Sequence, residues 1–206
     1  MGINTFQEHE DITLARLTEL ARKNSFINPY LYKKYVVKRG LRDVDGRGVL
    51  VGLTRIGEVH SYIIDENEII PVPGRLLYRG IDINDIVDGF IKEDRFGFEE
   101  TCYLLLFGNL PNREELEEFK NLLAGRQKLP DDFVRDVILR IPSRNIMNVM
   151  ARSVLALYSY DERADDTSLK NTVRQCLSLI ACFPLLAVYG YQAYRHHYQN
   201  RSMHLH

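Results

Sequence analysis

The sequence predicts an all-α, multi-helical fold with one small β-hairpin near residues 59–78. Three observations carry this. Apolar residues recur at helical spacing along most of the chain. Gly, Pro and Asn punctuate those stretches where helices would start and stop. Only one segment has β-branched runs on both sides of a short polar turn.

Leu14, Leu17, Leu20 and Ala21 place an apolar stripe on a first amphipathic helix. Gly40 to Gly57 is too rich in glycine for a long helix. Val59 to Ile64, the polar turn Asp65-Glu66-Asn67-Glu68 and a second extended run to Leu77 form the hairpin. Pro71 and Pro73 should confine it to a sheet edge, because proline cannot donate to a ladder. Asn84 or Asp85 should cap a helix that turns Ile86, Val87 and Phe90 inward. Phe98 to Phe107 forms the next helix, stopped by Gly108. Asn112 with Glu115 three positions later is a capping-box variant opening a helix through Leu116, Phe119, Leu122 and Leu123.

Asp131 or Asp132 starts a short helix ending before Pro142. Ile146, Met147, Met150, Val154 and Leu157 mark the helix near 145–160. The last helix, near 167–198, would run roughly 45 Å at 1.5 Å per residue, with a bend at Pro184. Its turns from Cys176 to Tyr191 are apolar nearly all round, a pattern of burial on most sides. The preceding helices can cover only part of it, so a further segment or a second subunit is expected there. No repeat or linker divides the chain, and residues 1–206 read as one helical unit.

Composition narrows the function. Twenty-seven basic side chains face 28 acidic ones, so no net field draws nucleic acid or an anionic membrane. The basic run Lys33, Lys34, Lys38, Arg39 and Arg42 lies beside Asp43 and Asp45 and reads as a solvated segment. The longest apolar run is shorter than the roughly 20 residues a membrane span needs. Cys102, Cys176 and Cys182 are odd in number and lack a metal-ligand spacing, which predicts buried, reduced thiols in a cytoplasmic compartment. The N-terminus lacks the basic start and apolar core of a signal peptide.

No residue set announces a reaction. His196, His197, His204 and His206 crowd the end of the chain, but adjacent helical residues point about 100° apart and no acid or cysteine joins them in a ligand spacing. His9 and His60 have no carboxylate partner evident in the sequence. Gly46, Gly48 and Gly52 match neither the dinucleotide fingerprint nor the Walker pattern. Asp161, Glu162, Asp165 and Asp166 lack the alternating ligands and glycine of a calcium loop, and suit a helix N-terminus. Catalytic, cofactor-binding and metal residues are therefore each assigned as none.

Several segments nevertheless resemble the citrate synthase family in the same order. Gly40 to Thr54, with Gly46, Gly48 and Gly52, resembles the N-terminal region of the bacterial enzymes. Pro73-Gly74-Arg75-Leu76-Leu77-Tyr78-Arg79-Gly80-Ile81-Asp82-Ile83 is similar to the family's turn into its first core helices. Phe98 to Pro111 continues the match, and Leu177 to Ala181 with Tyr191 to Tyr194 agree with its long helix. Where the family often carries His-Pro, this chain has Arg144-Asn145-Ile146-Met147.

The resemblance implies an N-terminal, large-domain part of a helical homodimer that condenses acetyl-CoA with oxaloacetate to give citrate and CoA. In the family a carboxylate and a histidine enolise the thioester, a proton transfer worth about 10²- to 10⁴-fold, and another histidine assists attack on the ketone. Those motifs lie in the family's second half and none occurs here, so the resemblance implies that this chain alone is inactive. It implies a homodimer through the helices near 145–160 and 167–198, with oxaloacetate and acetyl-CoA as substrates of the complete enzyme. It implies no cofactor, nucleic acid or membrane partner. 2-Methylcitrate synthesis from propionyl-CoA, or a non-catalytic helical binding module, are the alternatives.

Overall fold

The computed structural model describes residues 2–35, 37, 52–66 and 68–203, with side chains from Glu8 onward. Seven α-helices, a π-helical turn and one three-stranded antiparallel sheet are present among them. They form two compact units: residues Met1–Thr18 with Glu118–His206, and Glu19–Glu117. Helices α1 (Gly2–Ser25) and α5 (Arg113–Arg126) each contribute to both.

Along α1 the buried positions Thr13, Leu14, Leu17, Thr18 and Ala21 follow the expected stripe. The short α2 (Tyr30–Lys34) carries Lys33 and Lys34 in its last turn. Lys38, Arg39, Arg42, Asp43, Asp45, Gly46 and Gly48 lie outside the described residues.

In the central unit, strands β1 (Gly57–Asp65) and β2 (Glu68–Tyr78) form the predicted hairpin, and β3 (Ile81–Asp82) adds a third strand. β2 is therefore the middle strand, not an edge. Its prolines are tolerated because β3 pairs only with Leu77 and Tyr78, leaving the outer side of Pro71 and Pro73 open. The register slips between His60 and Tyr62, opposite those prolines. Near the tip, Ile63 pairs with Ile70 and Ile64 with Ile69, and all four are exposed. Neighbouring strand residues point to opposite faces, so this ribbon is apolar on both.

Helix α3 (Ile83–Lys92) is capped by Asp82, earlier than Asn84 or Asp85. Asp82 is extended and its carboxylate accepts from Asn84 N–H at 3.0 Å, while Arg75 Nε donates to it at 2.9 Å. The strand ion thus fixes where the helix starts. Ile86 is buried; Val87 and Phe90 are half-buried. Helix α4 (Phe98–Phe107) ends at Gly108, whose φ of 91° and N–H bond to Leu104 O make a left-handed cap. Tyr103 and Phe107 are fully buried and meet edge to face at 4.9 Å. Arg79, left-handed at φ 52°, donates to Leu105 O at 2.7 and 3.1 Å and to Asn24 O at 3.2 Å. One guanidinium so joins the β2–β3 turn to α1 and α4.

At the start of α5, still in the central unit, the capping box is reciprocal: Glu115 N–H donates to Asn112 Oδ1 and Asn112 N–H to Glu115 Oε2, both at 2.9 Å. In the other unit, the π-helical turn spans Val134–Leu139. Helix α6 (Ile146–Tyr158) is capped by Asn145, and α7 (Leu169–Gln199) by Ser168. Val173, Leu177, Ala181, Leu186, Gly190 and Ala193 put a buried stripe on α7. Phe133, Ile138, Val149, Leu186 and Ala193 make the core where the π-helical turn, α6 and α7 meet. The helix continues through Pro184, which removes one N–H donor to the preceding turn.

Gly190 lies close against α6. A Cβ there would sit 3.2 Å from Val149 Cγ1. Gly190→Val should destabilise the chain by about 1–3 kcal/mol, the range for overpacking. Gly89→Ala in α3, with open space at the new Cβ, should instead add about 0.4–1 kcal/mol. Urea unfolding of both variants checks the pair.

Candidate functional site

The residues with most chemistry lie where the loop 159–168 runs into α7. Arg174 donates through one terminal nitrogen to both oxygens of Asp161, at 2.6 and 2.8 Å, and through Nε to Asn171 Oδ1 at 2.7 Å. Asn171 is buried, and its amide donates to Arg163 O at 2.8 Å and Asp166 O at 2.7 Å. Gln175 reaches Asp161 and Ala164 O at 3.1 and 3.2 Å. These side chains lie one turn apart on α7, so the helix periodicity itself aligns them along the loop.

The four acids of that loop divide the work differently from a simple helix cap. Ser168 is the cap, accepting from Asn171 N–H at 3.3 Å, while Asp166 accepts from Ser168 N–H at 2.9 Å. Asp165 accepts from Tyr158 O–H at 2.8 Å. Burial alone would raise the Asp161 carboxyl, but hydrogen bonds from Arg174, Gln175 and the Arg163 backbone outweigh it and hold the group below the usual carboxylate range.

The described histidines do not gather. His196 and His197 are exposed on successive faces of α7, and His196 Nδ1 lies 3.0 Å from Arg201 O. His204 and His206 lie outside the described residues. His60 does have a carboxylate: Glu58 sits two positions away on the same face of β1 and contacts its ring. The alternation of a strand held that signal. Among the described residues no group of three or more His, Cys, Asp or Glu is placed to hold a metal ion. Of the cysteines, only Cys182 is buried, and burial raises its thiol; Cys102 and Cys176 are half-buried.

The α6–α7 pair offers a surface instead of a reaction centre. Met147, Ala151, Leu155 and Tyr158 follow one exposed stripe on α6, with Met147 and Leu155 75% and 76% exposed. Met147 therefore faces out, while Val149 and Ser153 take the buried positions. On α7, Phe183, Val188 and Tyr191 are exposed, so its all-round apolar turns bury one face within this chain and leave the others open. By length and composition alone α7 could cross a membrane. Its buried residues at three- and four-residue spacing give it the pattern of a packed helix in a bundle.

Asp161→Asn should cost about 1–3 kcal/mol at neutral pH by removing the charged partner of Arg174. A depressed folded-state carboxyl adds stability above its unfolded value, near 3.9, and loses it as pH falls through the folded value. In urea titrations the gap between wild type and variant should therefore close as the medium is acidified below about pH 4.

Comparison with known proteins agrees with this architecture. A family model described as "Citrate synthase, C-terminal domain" matches residues 41–205, most of the chain. The citrate synthase of Haloferax volcanii is 34% identical over 131 residues, 63% of this chain and 29% of that protein. The 2-methylcitrate synthase of Shewanella oneidensis is 31% identical over 118 residues, 57% of this chain and 29% of that protein. The chain thus aligns with less than a third of the length of these relatives. Citrate synthase from Thermoplasma acidophilum, solved as a ternary complex with carboxymethyl coenzyme A and oxaloacetate, shares the fold with a TM-score of 0.53 at 23% identity, over 82% of this chain and 38% of that one. The chain belongs to the citrate synthase family.

Proposed function

We propose that residues 1–206 form the N-terminal, large-domain part of a cytoplasmic citrate synthase, which in its complete form condenses acetyl-CoA with oxaloacetate to citrate and CoA. The observation that carries this reading is the order of the family-like segments, which ends in the α6–α7 pair. Placement in the N-terminal part rests on that order, since the matched family description names a C-terminal domain. The acid–base residues of the reaction belong to other parts of the complete enzyme, and this chain alone is inactive.

The pair α6–α7 is read as a homodimer interface. Exposed Met147, Leu155, Val188 and Tyr191 each leave a large apolar side chain in water, at a cost of roughly 25 cal/mol per Å² that a second copy would remove. Sedimentation velocity should show self-association of this chain, and Leu155→Glu should weaken it at least about tenfold by placing a charge in the apolar seam. A strict monomer at high concentration would overturn the interface.

The likeness to the Shewanella enzyme supports a second reading, 2-methylcitrate synthesis from propionyl-CoA. One methylene is worth only about 1–3 kcal/mol of discrimination, so mixed activity is compatible with either. Thiol release from oxaloacetate with acetyl-CoA or propionyl-CoA, run on this chain and on the uninterrupted gene product, decides between them. A silent chain beside a long form that prefers acetyl-CoA is expected. Turnover by the chain itself would refute its inactivity, and silence of both would favour a non-catalytic helical binding module.

A further inference from the structure

Two cavities in the unit containing α6 and α7 share a wall, and that wall is made by Arg126 and Arg174. The first, of about 240 Å³, is polar and is also lined by Arg163 and Lys170 beside the start of α7. The second, of about 500 Å³, is lined by Val154, Leu157, Leu179 and Cys182 among others, and is apolar over most of its surface.

Arg126 is the pivot of this arrangement. Its side chain is only 13% exposed. One terminal nitrogen donates to Glu10 at 2.6 Å and the other to Ser178 Oγ at 3.1 Å, but the buried Nε–H has no acceptor among the described residues. A buried donor without a partner costs about 1–3 kcal/mol, which an incoming acceptor would recover. Burial and the nearby charge of Arg174 both disfavour the Arg126 cation, so an anion at the shared wall would relieve it.

Three acids also line the polar cavity. Glu10 pairs with Arg126, Asp11 lies 3.9 Å from Lys170, and Asp166 is engaged by the Ser168 N–H. Arg163 has no carboxylate within ion-pair distance among the described residues, and Lys170 is held only at the outer limit. Both lie at the exposed mouth, where an entering anion would meet them first.

We infer that the joined cavities form a binding site for a small organic phosphate, its anionic group at Arg126, Arg163 and Lys170 and its apolar ring or chain between Leu157 and Leu179. A multiply charged head suits several cations better than a single carboxylate does. An apolar body suits the larger cavity, which matches ligand pockets in size and in having few convergent polar groups. This site does not depend on the acyl-transfer reading, and its failure would leave that reading untouched.

The test titrates the 206-residue chain by calorimetry with 1-naphthyl phosphate, inorganic phosphate and 1-naphthol. The naphthyl phosphate should bind at least about tenfold more tightly than either half. The double variant Arg163→Ala/Lys170→Ala, whose positions are exposed, should lose about tenfold in that affinity while keeping its helical circular dichroism. Three outcomes would each overturn the site: no binding of the naphthyl phosphate, binding no tighter than inorganic phosphate, or affinity unchanged in the double variant.

Discussion

The unit that carries α6 and α7 is organised by one close approach. Gly190 presents no side chain where α7 passes Val149, and a Cβ there would lie 3.2 Å from Val149 Cγ1, closer than ordinary contact. With the two helices this near, Leu186 and Ala193 reach the same core as Phe133 and Ile138 from the π-helical turn. The same packing fixes the rotation of α7. With Val173, Leu177 and Ala181 turned inward, Asn171, Arg174 and Gln175 fall where they can hold the loop 159–168. One face of α7 thus packs the apolar core while Asn171, Arg174 and Gln175 near its start hold the loop.

Charge does in the central unit what close packing does in this one. Arg79 closes three backbone carbonyl contacts from a left-handed turn, and Arg75 orients the carboxylate that starts α3. Arg75 lies on β2 and Arg79 in the turn that follows it, so the small sheet serves as a mount for two guanidinium groups. Buried carbonyls left over at helix ends need such donors.

Much of this was legible in the sequence. The Asn112–Glu115 box, the stop at Gly108 and the helical stripes of α1 and α5 rest on local chemistry, and the structure has them where the spacing put them. What local patterns could not supply was context. Asp82 replaced Asn84 and Asp85 as a cap because Arg75, seven residues earlier, reaches it across the turn. Which residues of α6 are buried is likewise set by context: Val149 lies against Gly190 of α7, and Met147 is left exposed. The pairing of His60 with Glu58 follows from strand alternation, a signal present in the sequence but unread. The wall of Arg126 and Arg174 was beyond any local pattern, since it joins residues from α5 and α7 across 48 positions.

The doubly apolar ribbon at Ile63, Ile64, Ile69 and Ile70 has a consequence for the chain in solution. An extended segment with oily side chains on both faces and an open edge is a template on which further strands can stack. The protection lies within the hairpin itself. Asp65, Glu66 and Glu68 concentrate like charge at its tip, and Pro71 and Pro73 deny donors to any strand approaching β2. These charges and prolines disfavour strand addition at the tip and along β2, whereas the outer edge of β1 carries no proline. Colloidal behaviour, as much as folding, is thus written into five residues of one hairpin.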